Sequence, residues 1–188
     1  MSKKPSTTAQ SFKELIHLDD LPSLGPRRRA SAWPEAEVLR RVDEWLQARA
    51  LTGSVAEALR GCALLWHDHL AAAHGIAQGL SDANGSFLHA VMHRREPDYW
   101  NSKYWWNRVG AHPAFPSLAG RVLESVTARQ DPDLACHFLA SGRWDPAAFV
   151  DACEAVADEP ADADVPRFLR EVQRLEFEAL VETLLANH

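Results

Sequence analysis

The chain has 188 residues and a mass of 20.9 kDa, with 46% hydrophobic residues, 24% charged residues and a net charge of −6. This length fits one domain with a sizeable core, and the composition excludes a chain that is disordered throughout. Charge is uneven: in residues 1–30, Lys3, Lys4, Lys13, Arg27, Arg28 and Arg29 face Glu14, Asp19 and Asp20, a local +3 that leaves −9 for the remainder. An acidic body repels a phosphate backbone, so nucleic acid is not an expected partner, and the run Arg27 to Arg29 reads as a solvated tail segment.

Cys62, Cys136 and Cys153 are far apart and show no C-x-x-C spacing. They indicate neither a disulfide framework nor a cysteine zinc site; free thiols in a reducing cytoplasm are expected. No apolar run reaches the roughly 18–20 residues that cross a bilayer, and the N-terminus has no signal-peptide core, so a soluble cytoplasmic protein with no membrane partner is expected.

In chain order, residues 1–30 (KKPSTT, then LPSLGPRRR) read as a tail, flexible or loosely docked, in which FKELIHL forms a short amphipathic piece. Residues 31–188 read as one all-α domain, an irregular bundle of about seven to eight helices, because no window alternates with period two. Helices are expected near 34–50, 54–80, 86–95, 98–109, 116–129, 132–141, 146–157 and 166–186. Pro34, Pro116, Pro132 and Pro146 stand where first-turn prolines belong, with Asp131 and Asp145 as N-caps. Ser54 and Glu57 have capping-box spacing. The last helix is amphipathic enough to close the bundle, or to form a homodimer through the same face.

The histidines sort by helical face. On a continuous 54–80 helix, His69 falls in the apolar stripe, as a core histidine donating to a carbonyl would, while His67 and His74 share a flank with Gln78. The latter two are about 10 Å apart along the axis, too far to ligate one ion together. His89 and His93, four apart in SFLHAVMHRRE, point to one side and can reach a common ion, phosphate or substrate oxygen. They are candidate acid/base groups, with Glu96 extending the face, or candidate ligands of a divalent metal. A lone H-x-x-x-H pair lacks the third protein ligand that zinc normally takes. The remaining reading is structural, with the histidines hydrogen-bonded to Asp98 or Glu96.

After Pro97, a helix capped by Asp98 puts Asn101, Tyr104, Trp105 and Arg108 on the same side, a mixture of aromatic planes and polar groups that suits the wall of a pocket. Arg94, Arg95 or Arg108 would hold an anionic group, and His67 would border the site.

The run from Trp66 to Pro113, with WHD, a later histidine in AAAH, Gly85-Ser86, HxxxHRREPD, NxxYW and RxGxHP, resembles a family of small uncharacterised proteins of bacteria and fungi. The resemblance implies that His89, His93, Arg94, Arg95, Glu96, Asp98, Asn101, Tyr104, Trp105 and Arg108 form one working unit, and it supplies no reaction. ALLWHDHL is also similar to the His-Asp helix of HD-type metal phosphohydrolases. Those enzymes need a histidine on an earlier helix, and the only earlier one is His17. No glycine-rich phosphate loop, nucleophile elbow or paired E-x-x-H is present.

The expectation is therefore a pocket between the 86–95 and 98–109 helices, floored by the 54–80 helix, for a small anionic or polyhydroxylated ligand. Hydrolysis or isomerisation are the reactions such groups would serve. The alternatives are a divalent-metal-dependent HD-like hydrolase and a non-catalytic interaction protein.

Overall fold

A computed structural model describes residues 7–129, 137–139 and 142–186; among them are nine helices and no strand. The helices are α1 (Thr7–Ile16), α2 (Glu35–Gln47), α3 (Gly53–Trp66), α4 (Leu70–Gln78), α5 (Ala83–Arg95), α6 (Tyr99–Val109), α7 (Ala114–Arg129), α8 (Pro146–Ala155) and α9 (Asp164–Leu184). The all-α, single-domain bundle expected from the missing period-two pattern is what forms.

At the centre is α5, whose residues from Gly85 to Arg95 are all buried. It packs against α6, α4 and α3, while α9 closes the bundle against α7, α3, α1 and α8. The α3–α5 crossing is close enough that a Cβ on Gly61 would stand 2.8 Å from Leu88 Cδ1. The apolar stripe of α9, including Phe168, Leu169, Val172, Phe177, Leu180 and Val181, is buried within its own chain, so the face that also suited a homodimer is occupied.

Helix ends follow local chemistry. Asp145 accepts the amides of Ala147 and Ala148 at 3.0 and 3.1 Å with Pro146 behind it; Asp82 accepts Gly85 N–H at 2.9 Å and Asp98 accepts Asn101 N–H at 3.4 Å. The capping box expected at Ser54 and Glu57 does not form: α3 begins at Gly53 after Thr52, and Glu57 pairs with Arg60 instead. Most of the helix expected near 132–141, with Asp131, Pro132 and Cys136, lies outside the described residues, and 137–139 form a turn and bend.

Two further findings revise the organisation. The 54–80 segment is not one helix: it breaks at His67-Asp68-His69, where Asp68 adopts φ +63°, and α4 leaves in a new direction. Residues in the N-terminal segment also enter the body. Phe12 and Ile16 are core residues, Phe12 meeting Trp45 edge-on at 5.0 Å, and Arg29 reaches the α3–α4 break. There its backbone N–H and Nε both donate to Asp68 Oδ2, at 3.0 and 2.8 Å. Cys62 and Cys153 are free thiols, and burial pushes both up to about 12, so neither is a thiolate at neutral pH.

Candidate functional site

The tight turn between α4 and α5 folds the two helices into an antiparallel hairpin, so residues equally distant from it become neighbours. Gly85 is required there, because a Cβ would stand 2.6 Å from the Leu80 carbonyl oxygen. His74 on α4 thereby meets α5: its ring centroid is 5.2 Å from that of His89 and 5.3 Å from that of His93. The polar side of α6 closes the arrangement. The result is a cleft of about 470 Å³, bordered by His74 and Gln78 of α4, Leu80 and Ser81 of the turn, Ser86, His89 and His93 of α5, and Asn101, Tyr104, Trp105 and Arg108 of α6.

His89 is the most firmly placed of these groups. Its ring lies flat on Trp105, centroids 3.9 Å apart and planes 7° from parallel, and its Nδ1–H donates to the Gly85 carbonyl at 3.2 Å. A carbonyl only accepts, so the proton sits on Nδ1 and Nε2 carries a lone pair. Burial lowers the imidazole to about 4, with help from His74, His93 and Arg108, against the opposing Gly85 hydrogen bond. It is neutral at pH 7.

His93 has a different setting. Its Nδ1 lies 3.7 Å from both Glu96 Oε2 and Asp98 Oδ2, and its Nε2 is 3.2 Å from Asn101 Nδ2. Burial again lowers its pKa, joined by His74 and opposed by the two carboxylates. Asn101 is held by Asp98 at 3.2 Å. At the mouth the exposed Arg108 guanidinium stands over Trp105 at 5.3 Å and over Tyr104 at 6.0 Å.

Of the residues expected from the sequence, the fold brings His89, His93, Asn101, Tyr104, Trp105 and Arg108 together, with Glu96 and Asp98 at the rim beside His93. It does not bring His67, Arg94 or Arg95. The break after Trp66 turns His67 away to stack on Trp33 at 4.6 Å, and its Nδ1 accepts the Trp33 N–H at 3.2 Å. Arg94 and Arg95 point into the core: Arg94 donates to Glu176 at 2.5 and 3.1 Å and to Gln173 at 3.2 Å, and Arg95 donates to Asp68 and to the Leu65 carbonyl, each at 2.5 Å. Neither is free to hold a ligand's anionic group. His69 donates to the Trp33 carbonyl at 2.8 Å, and His112 is satisfied by Asn84 and the Ala114 amide.

His74, Gln78, Ser81 and Ser86 are the residues the sequence reading passed over. Reading 54–80 as a single helix paired His74 with His67, when the short S-D-A-N-G-S connection to the next helix was the signal that pairs it with His89.

The His-Asp pair is equally consumed by structure, since Asp68 has Arg95 on Oδ1 and Arg29 on Oδ2 and no exposed side chain. Among the described residues no group of three or more His, Cys, Asp or Glu side chains is arranged to hold a metal ion, so His89 and His93 acquire no third such ligand. Among those residues, too, no helix is long and apolar enough to cross a membrane.

Fold and site together define an all-α protein with a histidine-walled, aromatic-lined cleft beside its central helix. In comparisons with family models, curated proteins and solved structures, the chain matches none.

Proposed function

We propose that the protein binds a small anionic or polyhydroxylated molecule in the α4–α5–α6 cleft, with His89 and His93 as neutral imidazoles poised to accept or relay a proton. The observation that carries this reading is the convergence of His74, His89 and His93 on one open cleft whose other walls are Asn101, Tyr104, Trp105 and Arg108. Aromatic surface with a few convergent polar groups is the usual make-up of a small-molecule site. The volume, about 470 Å³, is in the range that such sites occupy.

Acid/base work is supported by the contrast between the two histidines. His89 has a fixed tautomer that leaves Nε2 bare, whereas His93 has Glu96 and Asp98 within reach to stabilise an imidazolium. Glu96 and Asp98 act through His93. Arg108, exposed and free of a carboxylate partner among the described residues, would hold an anionic substituent at the mouth.

The test is a thermal-shift screen of small anions and polyhydroxylated compounds against the wild type and the His89→Ala/His93→Ala double variant. The reading expects at least one compound to stabilise the wild type and to leave the folded double variant unshifted. A shift of equal size in both would overturn it.

A further inference from the structure

The polarity of the hydrogen-bonding groups in the cleft narrows the ligand class, and the narrowing rests on the cleft being a small-molecule site. His89 is only 2% exposed, and its Nδ1–H is spent on Gly85, so what remains for a ligand is the Nε2 acceptor. Asn101 commits its amide N–H groups to Asp98 and His93, leaving its carbonyl oxygen without a partner among the described residues. Ser86 donates its hydroxyl to the Asp82 carbonyl and keeps only lone pairs. Glu96 and Asp98 add two carboxylates at the rim. Tyr104, Trp105 and Ser81 add two hydroxyls and an indole N–H, so the cleft offers both acceptors and donors, and among its described lining residues Arg108 is the single fixed cation. Sulfate has only acceptors, and phosphate at neutral pH has at most one or two P–OH groups, so either would leave the His89, Asn101 and Ser86 lone pairs poorly matched; hydroxyls both donate and accept and so match the mixture.

The aromatic groups add shape. Trp100, Tyr104 and Arg108 recur at four-residue spacing along α6, so they form one row leading out of the cleft. Trp100 is 78% exposed, and its ring runs nearly parallel to Tyr104, at 13° and 6.3 Å between centroids. Such a ladder of flat faces beside a cleft of mixed donors and acceptors matches a molecule with one apolar C–H face and a rim of hydroxyls.

We infer that the cleft is a carbohydrate site: a pyranose sits with its C–H face on Tyr104, its hydroxyls donate to His89 Nε2 and Asn101 Oδ1, and Trp100 stacks the next sugar unit of a longer chain. A carboxylate on the sugar, where present, is met by Arg108.

The test uses the full chain on a glycan array that includes neutral and uronic-acid oligosaccharides. Binders are then titrated by tryptophan fluorescence, with inorganic phosphate and sulfate titrated in parallel. At least one oligosaccharide is expected to bind, with phosphate and sulfate silent. His89→Phe keeps a flat ring on Trp105 but deletes the acceptor, and should weaken binding tenfold or more. His89→Gln, which restores an acceptor, should recover part of that loss. Trp100→Ala should weaken an oligosaccharide about threefold to tenfold while leaving its single-ring counterpart unchanged. Binding of phosphate or sulfate without any sugar would overturn the carbohydrate inference while leaving the small-molecule reading intact. Silence of every sugar and of both anions would overturn both. Equal binding by wild type and a folded His89→Phe variant would overturn the assignment of His89.

Discussion

The two sides of α5 carry polar residues of opposite fates. On one side, Arg94 and Arg95 are wholly buried and engaged through their terminal nitrogens, though the Nε of each has no partner among the described residues: Arg94 grips Glu176 and Gln173 of α9 beneath the ring of Phe149, and Arg95 grips Asp68 at the α3–α4 break. On the other, His89 and His93 are almost as buried, yet both border an open cleft, His89 with Nε2 free and His93 held by Asn101 and two half-exposed carboxylates. Burial alone therefore does not separate structural from functional polar groups here; what separates them is whether the protein itself supplies the partner. The arginines join α5 to distant parts of the chain. The histidines are held in place by neighbours at the wall of the cleft, and His89 is left with an open Nε2.

The comparison is broken most directly at Asp68. Removing its carboxylate leaves Arg29 and Arg95 without their shared anion, in a site where the Arg95 side chain has no exposed surface and that of Arg29 only 7%. Asp68→Ala is expected to cost ~3–5 kcal/mol in chemical denaturation, because an uncompensated buried charge is left behind. Glu176→Ala should behave alike through Arg94. A loss below ~1 kcal/mol in either would mean that water reaches these guanidinium groups and that the arginine side is not sealed.

Acidification tests both sides at once. His67 and His89 are each held near 4 by burial, whereas an unfolded histidine titrates near 6.5. Between these values the unfolded chain takes up protons that the folded one refuses. The stability contribution of these two groups is therefore constant above about pH 6.5 and is lost as pH falls toward 4. The slope is ~1.4 kcal/mol per pH unit for each histidine. Denaturation midpoints at several pH values between 7.5 and 4.5 would show it. His89→Phe should flatten the curve by one histidine's share, and an unchanged slope in that variant would remove His89 from the buried, neutral class.

Parts of this were legible in the sequence. The four-residue spacing of His89 and His93, and the shared face of Asn101, Tyr104, Trp105 and Arg108, needed only helical geometry, and six of the expected residues do meet in the cleft. The destinations of Arg94 and Arg95 did not follow from spacing, because their partners stand 82 and 27 residues away and are chosen by the tertiary fold. Periodicity also could not show the break at residues 67–69. It depends on Asp68 taking a left-handed conformation that Arg29 and Arg95 hold by its side chain, and Arg29 comes from a segment read as a tail. Missing the break is what hid His74.

Smaller effects sharpen the histidine side. His93→Gln removes an imidazole whose polar contacts are with Asn101 and two half-exposed carboxylates and whose ring meets His74, so a stability change below ~1 kcal/mol is expected alongside any loss of ligand response. The smallest effect belongs to Trp100. Its ring is 78% exposed and its aromatic contact is with Tyr104, so Trp100→Ala should leave stability within ~0.5 kcal/mol of wild type. A tryptophan that can be removed without cost to the fold is one whose large apolar surface is kept in water by something other than packing. If denaturation showed a loss of ~2 kcal/mol or more, Trp100 would belong to the core of α6, and the aromatic row would be packing rather than an extension of the cleft.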